Sequence, residues 1–426
     1  MSKPRKVVKM TRNHNDLPRV VVTGLGALSP LGPVDAFWEN LKAGRSGIRR
    51  TTLFDPGELN VQIAGEVDFE PDQYIDRKSA RRMSRASQLA LVAARMALED
   101  AGLTQDTVAE QGDRVGVSVG TANAGFGTLV DISYQYTLHG RKPFPTSLIN
   151  GLPNMPGYYV SLEMGALGPL TTISTACASG TQSIGYGLEL IQLGKADIVF
   201  AGGVDCLVRE EVMVAFDAMT VLARSSNETP EKASRPFDSD REGFVLGEGA
   251  GFLVLESLEH ALRRDAHMYA EVLGHAASSD AQHIATPDES GLGAQNAMRW
   301  ALADAHLGSD QIDYINAHGT GTRINDPTET NAIKQVFGEK AYQIPVSSTK
   351  SMIGHCMGAS GTLEAIACVK SLQEGILHPT INLETPDPQC DLDYIPNHSR
   401  KVEIQTALSN SFGLGGQNAC LVLGKT

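Results

Sequence analysis

No stretch of this chain is apolar enough, for long enough, to cross a bilayer, since a spanning helix needs about 20 apolar residues in a row. The basic residues Lys3, Arg5, Lys6, Lys9 and Arg12 are not followed by an apolar core, so a secretory signal does not fit. A disordered basic extension over residues 1–18 is expected instead. The six cysteines contain no Cys-x-x-Cys pair and no zinc-like His/Cys spacing. That pattern argues for reduced thiols and a cytoplasmic location. Basic residues are outnumbered, 36 Lys plus Arg against 49 Asp plus Glu, for a net charge of −13. A nucleic-acid partner, which needs a basic surface, is excluded on that ground. Gly24 and Gly26 follow a strand-like run, but no third glycine completes a dinucleotide fingerprint. What remains is a soluble globular composition, 42% hydrophobic and 20% charged, rich in glycine at the ends of expected elements.

At 426 residues the chain has room for two or three average domains or for one duplicated unit. Arg19–Gly26 reads as a strand running into a glycine turn, Ser87–Gly102 as an amphipathic helix, and Arg114–Gly120 as a second strand. Such alternation predicts α/β layers. The chain also repeats itself. Ala97-Leu-Glu-Asp-Ala-Gly-Leu103 is echoed by Ala301-Leu-Ala-Asp-Ala-His-Leu307. Ala178-Ser-Gly-Thr181, with Gln192 and Gly194 beyond it, is echoed by Ala359-Ser-Gly-Thr362 with Gln373 and Gly375. Matching words in one order predict two related halves, 19–266 and 267–426, the first enlarged by loops near 128–156 and 208–243. In this register Cys177 meets Gly358.

Cys177 stands between a β-branched run, Leu170–Thr175, which reads as a buried strand, and a helical run, Ser179–Gly194. A cysteine above a helix N-terminus is favoured as thiolate, and the small neighbours Ala176, Ala178, Ser179 and Gly180 admit a substrate. Taken alone, Cys177 reads equally well as a buried structural cysteine. Three further turns follow expected strands. Asp313–Thr322 delivers His318, Pro345–His355 delivers Lys350 and His355, and Asn410–Asn418 is rich in glycine. Each histidine alone reads more readily as a core or surface residue; three such turns together point to one shared crevice.

These motifs are Thr175-Ala-Cys177, Asn316-Ala-His318-Gly-Thr-Gly-Thr322, Ser348-Thr-Lys350 with Gly354-His355, and Asn410-Ser-Phe-Gly-Leu-Gly-Gly416. With Arg235-Pro-Phe-Asp238 and Gly243–Gly249 they resemble the β-ketoacyl-[acyl carrier protein] synthases of dissociated fatty acid synthesis, over Arg19 to Leu423. The resemblance implies a thiolase-like five-layer α-β-α-β-α sandwich of two duplicated halves, normally a homodimer. It implies an acyl thioester on Cys177, neutral His318 and His355 donating to a malonyl-derived enolate, and Lys350 close behind, held by Glu364. Backbone N–H groups of Cys177 and Leu414 correspond to the oxyanion hole. Thr320 and Thr322 correspond to the pantetheine site, and Asn123, Ala124, Phe216, Phe412 and Leu414 to the acyl pocket and its gate. No metal and no organic cofactor are implied.

Two positions depart from the family pattern. Leu414 replaces a gating phenylalanine, and Asn123 with Ala124 occupy a place where large apolar residues limit chain length, so altered acyl selectivity is expected. A ketosynthase of a polyketide or specialised-lipid pathway is an alternative reading. A thiolase would carry a second cysteine where Gly413–Gly416 stands, and a non-catalytic chain-length partner would lack Cys177. The implied partner is an acidic acyl carrier protein, for which Arg77, Lys78, Arg81, Arg82 and Arg85 form a candidate patch that reads equally as a solvated helix face.

Overall fold

The computed structural model describes residues 11–426. The first ten residues of the expected basic extension lie outside them. Its remainder is folded, because the Thr11 carbonyl accepts from Arg19 N–H at 2.9 Å and the Asn13 side chain accepts from Leu17 N–H at 3.0 Å.

Ten strands form one mixed sheet. In chain order they are β1 (Val20–Leu28), β2 (Val115–Gly120), β3 (Leu170–Ile173), β4 (Ile198–Asp205), β5 (Gly249–Ser257), β6 (Ala270–Ser279), β7 (Tyr314–Asn316), β8 (Val346–Ser347), β9 (Thr406–Gly413) and β10 (Gln417–Gly424). Outward from its centre, one arm of the sheet runs β1-β5-β4-β2-β3 and the other β6-β10-β9-β7-β8. The second order is the first shifted by five strands. In the sheet the arms are joined where Val20–Val22 of β1 pair with Ala270–Val272 of β6.

Helix α1 (Arg85–Asp100) covers the outside of the first arm, packed beside the helix Met155–Met164, and the more exposed α2 (Phe126–His139) follows β2 in the chain. Helix α3 (Ser179–Gln192) lies between the arms, α4 (Leu292–Asp304) and α5 (Asn325–Phe337) lie outside the second, and α6 (Ser360–Glu374) lies inside beside α3. The architecture is an α-β-α-β-α sandwich. No helix among the described residues is long and apolar enough to cross a membrane.

Local chemistry explains the packing. Ser84 caps α1 by accepting from Ser87 N–H, and the buried stripe Ala86, Ala90, Ala93 and Ala97 lets the helix lie against β1. A Cβ on Gly26 would come within 1.9 Å of the Ala93 carbonyl. The glycine pair in β1 is thus a packing device, and the strand runs straight through it to Leu28 rather than turning. Leu170–Ile173 is not buried as expected, for it forms the outer edge of its arm and Leu170 is 46% exposed. The enlargement near 128–156 is largely helical, with α2 and the turn Ser147–Asn150, and that near 208–243 holds a helix at Glu210–Ala218.

The inner helices touch where they begin. A Cβ on Gly180 would lie 2.5 Å from the Gly358 carbonyl, and one on Gly361 would lie 2.1 Å from Thr181 Oγ1 and 2.7 Å from its N. Even one added methyl group must push the helices apart. Gly361→Ala is expected to lower the unfolding free energy by about 1–3 kcal/mol, measured as a drop in urea midpoint at unchanged slope.

Candidate active site

The site is assembled across the boundary between the arms. From β3 the chain makes a single 3₁₀ turn, Ala176–Ala178, and enters α3. Ala176 is held at φ 51, a left-handed conformation uncommon outside glycine. The Ser179 hydroxyl braces the bend, accepting from Thr175 N–H at 2.8 Å and lying 2.7 Å from the Ala176 carbonyl. Cys177 is left buried at the head of α3. The second arm repeats the device, with a 3₁₀ turn at Met357–Ala359 leading into α6 and Met357 at φ 48.

His355 precedes that second turn. Its Nδ1 accepts from the Met357 backbone N–H at 3.3 Å and lies 3.0 Å from Ser360 Oγ. A backbone N–H can only donate, so the ring proton sits on Nε2, which points at Cys177 Sγ from 3.0 Å. His318 follows β7. Its backbone N–H and that of Gly319 donate to the two oxygens of Glu329, each at 2.8 Å, and Asn410 Nδ2 donates to the same carboxylate at 3.2 Å. The two imidazoles lie 5.4 Å apart, nearly perpendicular, with Phe412 5.7 Å from His318. Behind them the fully buried Lys350 ammonium is paired with Glu364.

A cavity of about 700 Å³ opens onto this group, lined by Cys177, His318, Thr320, Thr322, His355, Phe412 and Leu414 among others. The structure therefore brings together most of the residues singled out from sequence. Lys350 and Glu364 stand behind the cavity wall. Phe216 is one ring removed, packing edge-on against Phe244, which packs edge-on against His355. Asn123 and Ala124 do not line the cavity. The Asn123 backbone N–H is held by Asp205 at 3.0 Å, and Ala124 is buried in the core under α1. Arg85, counted in the basic patch, turns inward to pair with Glu248 at 2.6 Å.

Burial dominates the electrostatics. It pushes both site histidines well below the ordinary imidazole range, and the Lys350 charge pushes them further the same way. Both are neutral near neutral pH, and each can donate from one ring nitrogen. Burial also raises the Cys177 thiol to about 11, opposed by the backbone N–H groups of Leu414 and Cys177 and by Lys350. The thiolate expected from the helix N-terminus does not prevail. A helix end contributes about 0.3–1 kcal/mol and at most about 2, and burial of the thiol outweighs it.

Two buried carboxylates went unnoticed in the sequence. Glu329, raised to about 7 by burial, ties the His318 turn to Asn410. Asp205, raised to about 6 by burial, accepts from Thr121 Oγ1 and from Ala122, Asn123 and Gly358 N–H, joining the ends of both arms. An acid near a helix start is ordinary, and nothing in Asp326-Pro-Thr-Glu329 marked it out.

A buried thiol facing two neutral imidazoles, inside a five-layer sandwich, defines the thiolase-like condensing enzymes. The family model for the beta-ketoacyl synthase N-terminal domain matches residues 18–261, and that for the C-terminal domain matches 269–384. The chain belongs to the beta-ketoacyl synthase family. It is 44% identical over 412 residues to the 3-oxoacyl-[acyl-carrier-protein] synthase 2 of Synechocystis sp., covering 96% of this chain and 98% of that one. The protein of the same name from Coxiella burnetii is 44% identical over 411 residues, at the same coverage. Among solved structures, a type II polyketide acyl-carrier protein in complex with its ketosynthase bound to the hexaketide (AntDE:AntF) superposes with TM-score 0.89. It is 35% identical, covering 96% of this chain and 100% of that one. The ishigamide ketosynthase/chain length factor superposes at 0.88 with 39% identity and the same coverage.

The raised thiol makes a direct prediction. Alkylation of Cys177 by iodoacetamide is expected to keep accelerating as pH passes the ordinary thiol value of 9.0 toward about 11. A plateau near neutral pH would show a preformed thiolate instead.

Proposed function

We propose that the chain condenses a malonyl thioester with an acyl group carried on Cys177, lengthening fatty acyl chains by two carbons. The observation that carries this reading is the convergence of Cys177, His318 and His355 on one cavity. The Cys177 sulfur takes the acyl group from its carrier thioester and releases the carrier thiol. With the thiol protonated at rest, its proton passes to the departing carrier sulfur as the Cys177 sulfur attacks. A malonyl thioester then enters, its carbon–carboxylate bond breaks, carbon dioxide departs, and the electron pair becomes an enolate. The two histidines, kept neutral by burial and further by the charge of Lys350, which Glu364 holds in place, donate to the enolate oxygen. The enolate carbon attacks the acyl carbon. The resulting oxyanion is met by Cys177 and Leu414 N–H, the same groups that face the resting sulfur. Collapse expels the cysteine sulfur, which takes up a proton from solvent, and leaves a 3-oxoacyl thioester. Thr320 and Thr322, on the cavity wall, hold the pantetheine arm.

The acyl donor comes on an acyl carrier protein, the partner in the AntDE:AntF complex. Arg77, Lys78, Arg81 and Arg82 border a recess with Phe144, and the Arg82 guanidinium lies 5.5 Å from that ring. A recess of one sign suits an acidic carrier helix. A homodimer is supported by the free edge of β3 and by the exposed apolar side chains Leu129, Tyr134, Tyr136, Leu148 and Ile149 of the enlarged first half. The halves 19–266 and 267–426 are read as a duplication, supported by the repeated strand order. Six unpaired thiols support a cytoplasmic location. A polyketide or specialised-lipid substrate is the second reading, favoured by Leu414 at the cavity wall.

Intact-protein mass after incubation with acyl carrier proteins bearing short, medium, long and polar acyl groups tests the reaction. The expected result is a gain in wild type peaking at saturated medium to long chains, none in Cys177→Ala, and a changed length profile in Leu414→Phe. A peak with polar or branched groups would favour the second reading. Docking has its own check, because Arg81→Glu with Arg82→Glu should raise the apparent KM for carrier protein while loading from a small acyl thioester stays unchanged.

A further inference from the structure

Behind the two turns that present His318 and Lys350 lies a third histidine outside the reaction as derived. His378 follows the short strand Ile376–Leu377 beyond α6 and is fully buried. Its Nδ1 lies 3.1 Å from the Pro379 carbonyl, which can only accept, so Nδ1 carries the ring proton. Nε2 is therefore an acceptor, and Thr349 Oγ1 lies 3.0 Å from it. Thr349 Oγ1 in turn accepts from Asn316 Nδ2 at 2.9 Å. The hydrogen bonds run in one direction, from Asn316 through Thr349 and His378 to the Pro379 carbonyl. Burial holds the imidazole down at about 4, so the neutral tautomer this chain needs is the one present.

The two ends of the chain matter for the site. Asn316 closes β7 two residues before His318, and Thr349 immediately precedes Lys350. Asn316 Oδ1 has no partner among the described residues, so this side chain is held through Nδ2 alone, by Thr349, Tyr314 and His378. The segment after His378 braces the Lys350 turn as well. Thr380 Oγ1 accepts from Ser348 N–H at 3.0 Å, and Ser351 Oγ accepts from Ile381 N–H at 3.1 Å.

We infer that His378 is a positioning residue for the decarboxylating half of the reaction, fixing the His318 turn against the Lys350 turn through Thr349 and Asn316. The inference rests on the roles proposed above for His318 and Lys350. It bears on the two half-reactions unequally, because the attacking sulfur and one of the two oxyanion donors used in acyl loading come from the Cys177 turn in the other arm.

The test uses the full chain with His378→Leu, Thr349→Val, the double variant and His378→Gln, which keeps a donor and an acceptor. Carbon dioxide release from malonyl carrier protein, acyl loading of Cys177 by intact mass, and melting temperature are read on each. His378→Leu and Thr349→Val are each expected to slow carbon dioxide release roughly 10- to 100-fold, as an active group displaced by about 1 Å does. Acyl loading should stay at the wild-type rate. The double variant should lose no more than the worse single one, as members of one unit do, and His378→Gln should recover most of the rate. Equal losses in loading and in carbon dioxide release, or additive losses in the double variant, would overturn the inference while the proposed reaction stands. A wild type that loads acyl groups but releases no carbon dioxide would overturn the reaction and this inference with it.

Discussion

The meeting of α3 and α6 at their first turns sets everything else. Gly180 and Gly361 carry no side chain where these helices touch, so the turns ahead of them, one holding Cys177 and the other beginning after His355, come within hydrogen-bond reach. A sulfur on one arm and an imidazole on the other are thereby placed by backbone packing rather than by long flexible side chains. Thr181 and Ser411 bond across the same contact at 2.8 Å and help hold the register. The strained Ala176 and Met357 are kept in place by this over-determined packing.

The second constraint is dryness. Lys350 and Glu364 form a buried ion pair, and breaking such a pair by removing one member typically costs about 3–5 kcal/mol, while Glu329 and Asp205 are buried against backbone N–H groups. These charges are poor investments as pure stability. Their arrangement instead fixes protonation. A cation behind two buried imidazoles keeps them neutral, and carboxylates clamp the backbone of the turns that carry them. Burial has the same hold over the thiol, so the site rests uncharged at its reacting atoms while charged groups stand one layer back.

Much of this was legible in the sequence, and the reasons are local. Small residues on both sides of Cys177, histidines placed just after β-branched runs, and repeated words at matching offsets are patterns that a one-dimensional reading can detect. The family models and the relatives agree with the family read from those motifs. Partner choice across the fold was not legible. Glu329 reads as an ordinary acid in a first helical turn, and only the folded chain places it under His318. The glycine pair of β1 carries no sign of the helix that needs it. Leu170–Ile173 has the composition of a buried strand, and its edge position is decided by topology. Asn123 and Ala124 match the pocket by position in a motif, whereas in the fold neither lines the cavity and the Asn123 backbone N–H is bonded to Asp205.

Gly358 holds in the second arm the place that Cys177 holds in the first. A Cβ there would fall 2.5 Å from Asp205 Oδ2 and 2.7 Å from Ala122 N. No cysteine can be restored at that turn without dismantling the clamp that joins the arms. The symmetry of the strands is therefore irreversibly broken at one atom. On the proposed reaction one chain carries one acyl group, since the position that mirrors Cys177 is closed by the clamp around Gly358.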